Sequence, residues 1–192
     1  MKKLVAGIIV AAMILCVAPA AFSADKEILG VPFPTQKIIN DTQVYLNGLA
    51  SRKALVVVNV FAGGFYLENP TNNAREAIES DQIKQFYLVY LTNKATAAKL
   101  QEGFIEAIEK ANPAEMIAAQ QTNIKKYASW LDKDMEPGLT SVATYIPGEG
   151  LTLEYQGEVK GTINDPDFIR MYFRYNLGEQ ADKKLRDGYL GL

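Results

Sequence analysis

From Ala54 to Leu67 the chain reads A-L-V-V-V-N-V-F-A-G-G-F-Y-L. β-branched residues at this density lose side-chain freedom in a helix and pack well on a pleated surface. The run is apolar at both odd and even positions, which predicts a central strand covered on both faces. Gly63 and Gly64 within it predict a bulge or the close approach of another group. Arg52 stands just before this run, in the segment G-L-A-S-R-K from Gly48 to Lys53. A fixed positive charge at the end of a buried sheet calls for a partner. The partner is either an internal acid, such as Glu68 or a helix carboxylate, or a bound anion.

The rest of the chain punctuates itself. Val31 to Gly48 reads as short extended pieces, with Pro32 and Pro34 at the start, a turn at Asn40-Asp41 and a bend at Gly48. Pro70 stops the central strand. Asn73 followed by Glu76 predicts an N-cap and a short helix to about Ser80. Lys84 to Leu91 reads as a second strand. Ala97, Leu100, Phe104, Ile108 and Ala111 then recur at helical spacing. A second helix is predicted with Asn112 as N-cap, Pro113 at the first helical position, Glu115 reaching back and Ile117, Ile124, Ala128 and Leu131 as its buried stripe. Tyr127 and Trp130 on that helix are expected to face the sheet. After Pro137-Gly138 come three strands, Leu139 to Ile146, Leu151 to Tyr155 and Val159 to Ile163, joined by turns at 147–150 and 156–157, so an antiparallel meander is expected. Asp165-Pro166 opens a helix that Gly178 ends, and a last short helix carries Ala181, Leu185 and Tyr189. Runs of strands and runs of helices, without strict alternation, predict an α+β domain with helices on one face of an antiparallel sheet.

The first residues do not belong to that fold. Lys2 and Lys3, an apolar stretch from Leu4 to Val17 and small residues up to Ala24 give the order of a secretory signal peptide. Cleavage after Ser23 or Ala24 leaves a single domain at 25–192. The expected location is therefore the periplasm or the exterior, with no stable membrane span after cleavage, because the apolar stretch is shorter than the ~20 residues a spanning helix needs. Leu15 precedes Cys16, which disfavours a lipoprotein. The sole cysteine lies in this leader, so no disulfide framework is expected in the domain. Histidine is absent. Catalysis by Ser-His-Asp or Cys-His sets and zinc sites built from His and Cys are excluded on composition. The formal net charge is −2, and the leader holds only basic charges. With no basic tract, nucleic acid is not an expected partner. Asp132 and Asp134 make only a weak cation site. Glu102, Glu106 and Glu109 with Lys99 and Lys110 read as a solvated helix face.

Taken in order, G-V-P-F-P at Gly30 to Pro34, G-L-A-S-R-K, the strand ending G-F-Y-L, the helix pair, Y-I-P-G-E-G-L at Tyr145 to Leu151, the Gly157 and Gly161 hairpin and the closing N-L-G and L-G resemble the chalcone isomerase-like family, in its exported bacterial branch. The resemblance implies an open-faced β-sandwich, a large antiparallel sheet carrying a layer of helices with a cleft between them. In the plant flavonoid enzymes of the family the cleft cyclises a chalcone; in related plastid members it holds a fatty acid.

Site by site, the resemblance carries over unevenly. The family arginine falls on Arg52. The strand threonine of the enzymes falls on or near Phe61, which has no hydrogen to donate; the strand tyrosine of the acid-binding members falls there too. The segment from Leu91 to Gly103 matches the family's helix start, which puts Thr96 at the catalytic tyrosine position and Gly103 at the asparagine position. Tyr175 replaces a small hydroxyl residue. Tyr66, Tyr87 or Tyr90 are candidates to supply a missing hydroxyl near Arg52.

The reading is a non-catalytic binding domain for a fatty acid or similar apolar carboxylate, with Arg52, Phe61, Tyr66, Tyr87, Thr96 and Tyr175 as candidate ligand-binding residues, no catalytic set, no metal and no cofactor. The ligand class is a small apolar or carboxylate molecule; no protein partner is indicated. The alternatives are an isomerase or lyase with an altered site, and a structural or partner-binding envelope protein whose cleft is closed by its own side chains.

Overall fold

A computed structural model describes residues 25–54 and 58–192. The signal peptide read at 1–24 lies outside the described residues, as do Leu55, Val56 and Val57.

The chain begins with a hairpin of β1 (Lys26–Ile28) and β2 (Val31–Phe33). A seven-stranded sheet follows, in the order β3 (Gln36–Ile39), β4 (Thr42–Ala54), β5 (Val58–Leu67), β6 (Lys84–Tyr90), β7 (Thr140–Ile146), β8 (Gly150–Tyr155) and β9 (Glu158–Ile163). Every neighbour is antiparallel and adjacent in sequence order. Helices are inserted between strands: α1 (Ala74–Glu79) before β6, and α2 (Ala97–Ala111) and α3 (Ala114–Ser129) before β7. Two more, α4 (Pro166–Leu177) and α5 (Lys183–Tyr189), close the chain. The large antiparallel sheet with helices packed on it is the expected α+β open-faced sandwich. No described helix is long and apolar enough to cross a membrane.

Local chemistry accounts for the turns and caps. Asn40 and Asp41 have φ of 48° and 59°, and Gln156 and Gly157 have 54° and 79°. Two successive left-handed residues make the type I′ turn whose twist suits a tight hairpin. Leu29 and Gly30 form a third such turn, with φ of 55° and 78°, that the sequence reading passed over. The Asn73 side chain accepts from the Glu76 amide, so the N-cap expected there is present, and Asp165 caps α4 by accepting from the Asp167 and Phe168 amides.

Three local expectations are corrected. The strand read from Ala54 does not include that residue: Ala54 belongs to β4 and pairs with Val58 of β5. Gly48 is not a bend that ends a strand. It sits at a register shift within the thirteen-residue β4, which continues to Ala54. Asn112 is not the N-cap of α3; it closes α2, and its amide donates to the carbonyls of Ile108 and Met171. A side chain that ties α2 to α4 is no longer available to the amides of α3, and Pro113 takes the boundary without a side-chain cap.

Two cores lie on opposite faces of the sheet. The larger, under the helices, joins Phe61, Phe65 and Leu67 of β5 and Phe86 and Tyr90 of β6 to Phe168, Tyr172 and Phe173 of α4. The smaller joins Phe33 of the hairpin to Val44, Leu46, Ala62, Tyr66 and Ile83. Trp130 rests against Gly161 of β9: a Cβ there would lie 2.7 Å from its ring.

Candidate functional site

Between the sheet and the helices lies a cavity of about 330 Å³, within the ~300–1,000 Å³ range of small-molecule sites. Its sheet wall comes from β5 and β6, where Phe61 faces Tyr90 and Gly63 faces Leu88 across the ladder. Side chains alternate faces along a strand, so Phe61, Leu88 and Tyr90 all point to the helix layer. The helix wall comes from Leu100, Gly103 and Phe104 of α2, Tyr127 of α3, Tyr172 and Tyr175 of α4 and Tyr189 of α5.

Aromatic packing fixes this wall. Phe104 stacks on Tyr127 with ring centres 4.8 Å apart and meets Tyr175 edge-on at 5.7 Å. Tyr172 lies between Tyr127 at 5.3 Å and Tyr175 at 5.2 Å. Gly63 supplies the close approach expected of it: a Cβ there would stand 2.6 Å from both the Tyr189 hydroxyl and the Leu88 side chain. Gly103, exposed at the edge of the cavity, has open space where a Cβ would be.

Arg52 pairs with Phe61 across the β4–β5 ladder and lines the cavity from its exposed rim. Among the described residues no carboxylate forms an ion pair with it. Glu68, the internal partner weighed from sequence, sits beyond the other end of β5 and accepts from the Ile83 amide. Lys94 and Lys99 also line the cavity, and the Lys99 ammonium lies 3.5 Å from the Lys94 carbonyl. The rim is therefore cationic and the interior aromatic and aliphatic.

The interior also holds phenols. Burial raises the pKa of Tyr90, Tyr127, Tyr172, Tyr175 and Tyr189, and the Arg52 charge acts in the opposite direction on Tyr90, Tyr175 and Tyr189. All five are neutral hydroxyls at physiological pH.

The six candidate residues do not come together. Arg52, Phe61 and Tyr175 share the cavity. Tyr66 and Tyr87 point to the reverse face, into the smaller core with Phe33 and Val44. There the Lys37 ammonium lies 3.5 Å from the Tyr66 ring centre and 5.1 Å from that of Tyr87, and donates to the Gln85 side chain. The correction is one of parity: Tyr66 and Tyr87 are each an odd number of residues from the strand positions that face the helices. Thr96 caps α2, its hydroxyl accepting from the Lys99 amide, and does not line the cavity. Of the three hydroxyls considered near Arg52, only that of Tyr90 belongs to this face. Tyr127, Tyr172 and Tyr189 were missed as lining residues. Tyr127 was read as a sheet-facing core residue and Tyr189 only as part of the last helix, and Tyr172 was not singled out; an inward-facing aromatic residue does not distinguish core from cavity wall. Asp132 pairs with Lys160, and Asp134 accepts from the Ala97 amide. Among the described residues no cluster of three or more metal-ligating side chains is present.

Residues 25–191 match the chalcone isomerase-like family. The chain belongs to that family. Among solved structures, a fatty-acid binding protein of Arabidopsis thaliana superposes with a TM-score of 0.67 at 18% identity, over 84% of this chain and 92% of that one. At that identity the likeness is one of fold. A search of curated protein sequences returned no match. The chalcone isomerase-like fold explains where the cavity sits, in the cleft between its sheet and its helices. The chemistry of the cavity is set by this chain's own residues.

Proposed function

We propose that this chain is a non-catalytic binding protein that holds a fatty acid or a similar apolar carboxylate in the cavity, with the carboxylate at Arg52 and the tail among the aromatic side chains. The observation that carries the reading is Arg52: a guanidinium at the rim of an apolar cavity with no carboxylate partner among the described residues. Its planar fork matches a carboxylate in bidentate geometry. The likeness to a protein described as fatty-acid binding supports the same ligand class. A non-catalytic role is favoured by what stands at the family's catalytic positions: Phe61 offers no proton, and the Thr96 hydroxyl is engaged in capping α2. The leader composition favours export, so the ligand would be met outside the cytoplasm.

Titration of the purified protein with hexadecanoic acid tests the proposal. The wild type is expected to bind, and each methylene removed from the tail is expected to cost about 0.8 kcal/mol, about fourfold in Kd. Arg52→Ala removes a charge-assisted contact, and a loss of about 1.5–3 kcal/mol, roughly ten- to a hundredfold, is expected. Arg52→Lys should fall between, because lysine offers a point charge without the fork. No binding by the wild type, or equal affinity in Arg52→Ala, contradicts the proposal.

A further inference from the structure

The charged residues that line the cavity are Arg52, Lys94 and Lys99, and all three are cations. The chain as a whole carries a formal net charge of −2, so this lining departs from the average surface. Sheet register puts the three at one end of the molecule. Arg52 of β4 pairs with Phe61, and Phe61 pairs with Tyr90, the last residue of β6. The chain leaves the sheet at that end to reach α2, and Lys94 and Lys99 lie on this path. Backbone bonds hold the path in place: the Leu91 amide donates to the Val60 carbonyl at 2.9 Å, and the Met135 amide to the Ala95 carbonyl at 2.9 Å. Lys53, beside Arg52 near the end of β4, adds a fourth cation, and all four residues are exposed.

Acids close to this end are engaged elsewhere. Asp132 and Glu158 pair with Lys160, Glu158 also pairs with Lys133, and Asp134 accepts from the Ala97 amide. Glu136 is the exception in that stretch. Glu102 and Glu106 stand on α2 but do not line the cavity. The connection from β5 to β6, at the opposite end of the sheet, carries Glu68, Glu76, Glu79 and Asp81 against Arg75 alone. The cavity thus opens at the positive end, and a negative surface would draw the molecule in mouth first. An acid with a long apolar tail partitions from water into a bilayer for the same reason that it enters an apolar cavity. A protein that holds such an acid therefore meets it at a lipid surface.

Resting on the carboxylate reading above, we propose that the mouth of the cavity docks on an anionic phospholipid surface through Lys53, Lys94 and Lys99, so that Arg52 and the opening face the bilayer. The attraction is between exposed charges, so salt screens it.

Sedimentation of the purified protein with vesicles tests this without any fatty acid present. Pure phosphatidylcholine vesicles are compared with vesicles containing about one third phosphatidylglycerol, and the anionic ones are expected to bind at least about tenfold more tightly. The preference is expected to vanish in ~1 M salt, where the screening length falls to about 3 Å. Lys94→Gln and Lys99→Gln should each lower binding to the anionic vesicles about fivefold, the effect of one cation near such a surface. Lys26→Gln makes the same charge change on the hairpin at the other face of the sheet and should leave binding nearly unchanged. All three positions are exposed, so folding is not at stake. Equal binding to the two kinds of vesicle overturns the inference. So does an equal loss in Lys26→Gln, because net charge and not the mouth would then be the cause. Calorimetry with hexadecanoic acid on the same wild-type preparation separates the two readings. Uptake of the acid without a preference for anionic vesicles removes the docking and leaves the carboxylate site standing. A preference that depends on Lys94 and Lys99 with no uptake of the acid supports the docking and removes the carboxylate reading.

Discussion

Lys37 and Arg52 place cations on opposite faces of one sheet, and the register shift between Leu46 and Gly48 in β4 separates them. Lys37 pairs with Val44 on the reverse face; Arg52 pairs with Phe61 on the helix face. Burial lowers the pKa of Lys37 to about 7 and that of Lys84 to about 8. Tyr66 and Tyr87 face Lys37 from β5 and β6, and Glu79 and Asp81 act on Lys84 in the direction opposite to burial. The unfolded chain holds these protons to about pH 10.4. Between about pH 7 and pH 10 it therefore binds more protons than the native state, and stability rises with pH. The buried tyrosines carry the opposite sign and reduce stability above about pH 10, where the unfolded phenols ionise first. Urea unfolding should show this rise. Lys37→Met should be more stable than wild type at pH 6, on the order of 1–3 kcal/mol after allowance for the lost ring contact, with the gain shrinking by pH 10. A gain independent of pH, or a loss at pH 6, would remove the account. Arg52 was legible in the sequence because its local motif is distinctive. Lys37 was not: nothing in Q-K-I-I-N tells which face of a short strand is covered.

At the scale of elements, α5 lies against β4 through two glycines. A Cβ on Gly48 would stand 2.1 Å from the Gly188 carbonyl oxygen, and a Cβ on Gly188 would stand 2.5 Å from that of Leu49. The Asn47 amide donates to the Tyr189 carbonyl at 2.8 Å. This close seating carries Leu185 and Tyr189 to the cavity wall. Backbone cannot yield as a flexible side chain can, so Gly48→Ala should lower stability by about 3 kcal/mol, read as a shift in the denaturant midpoint. An unchanged midpoint would mean that α5 is not seated this way. Helix and strand identities were legible from periodicity, N-caps and turn residues. Boundaries were less so. Asn112 has the composition of an N-cap, yet a tertiary contact to Met171 draws it to the end of the preceding helix. Gly48 looks like a stop, yet it is the place where a helix must come close.

The whole molecule is a meander of seven strands with one face given to helices and the other to a small hairpin. That architecture could be read from the order of strand and helix runs. The site could be read only in part. Because β5 is apolar on both faces, its sequence gives no phase, and the parity of Tyr66 and Tyr87 was open until pairing fixed it. Cavity walls and solid core draw on the same residue types, so Tyr127 could be placed inside but not beside an empty volume. The central claim is that this volume receives a tail while Arg52 holds the head. A crystal structure of the protein soaked with hexadecanoic acid tests it most directly. The account predicts the acyl chain between Leu88, Phe104 and Tyr127, with both carboxylate oxygens within hydrogen-bonding distance of the Arg52 guanidinium. A chain bound on the reverse face by Tyr66, or one that lies in the cavity with its carboxylate turned away from Arg52, would contradict it.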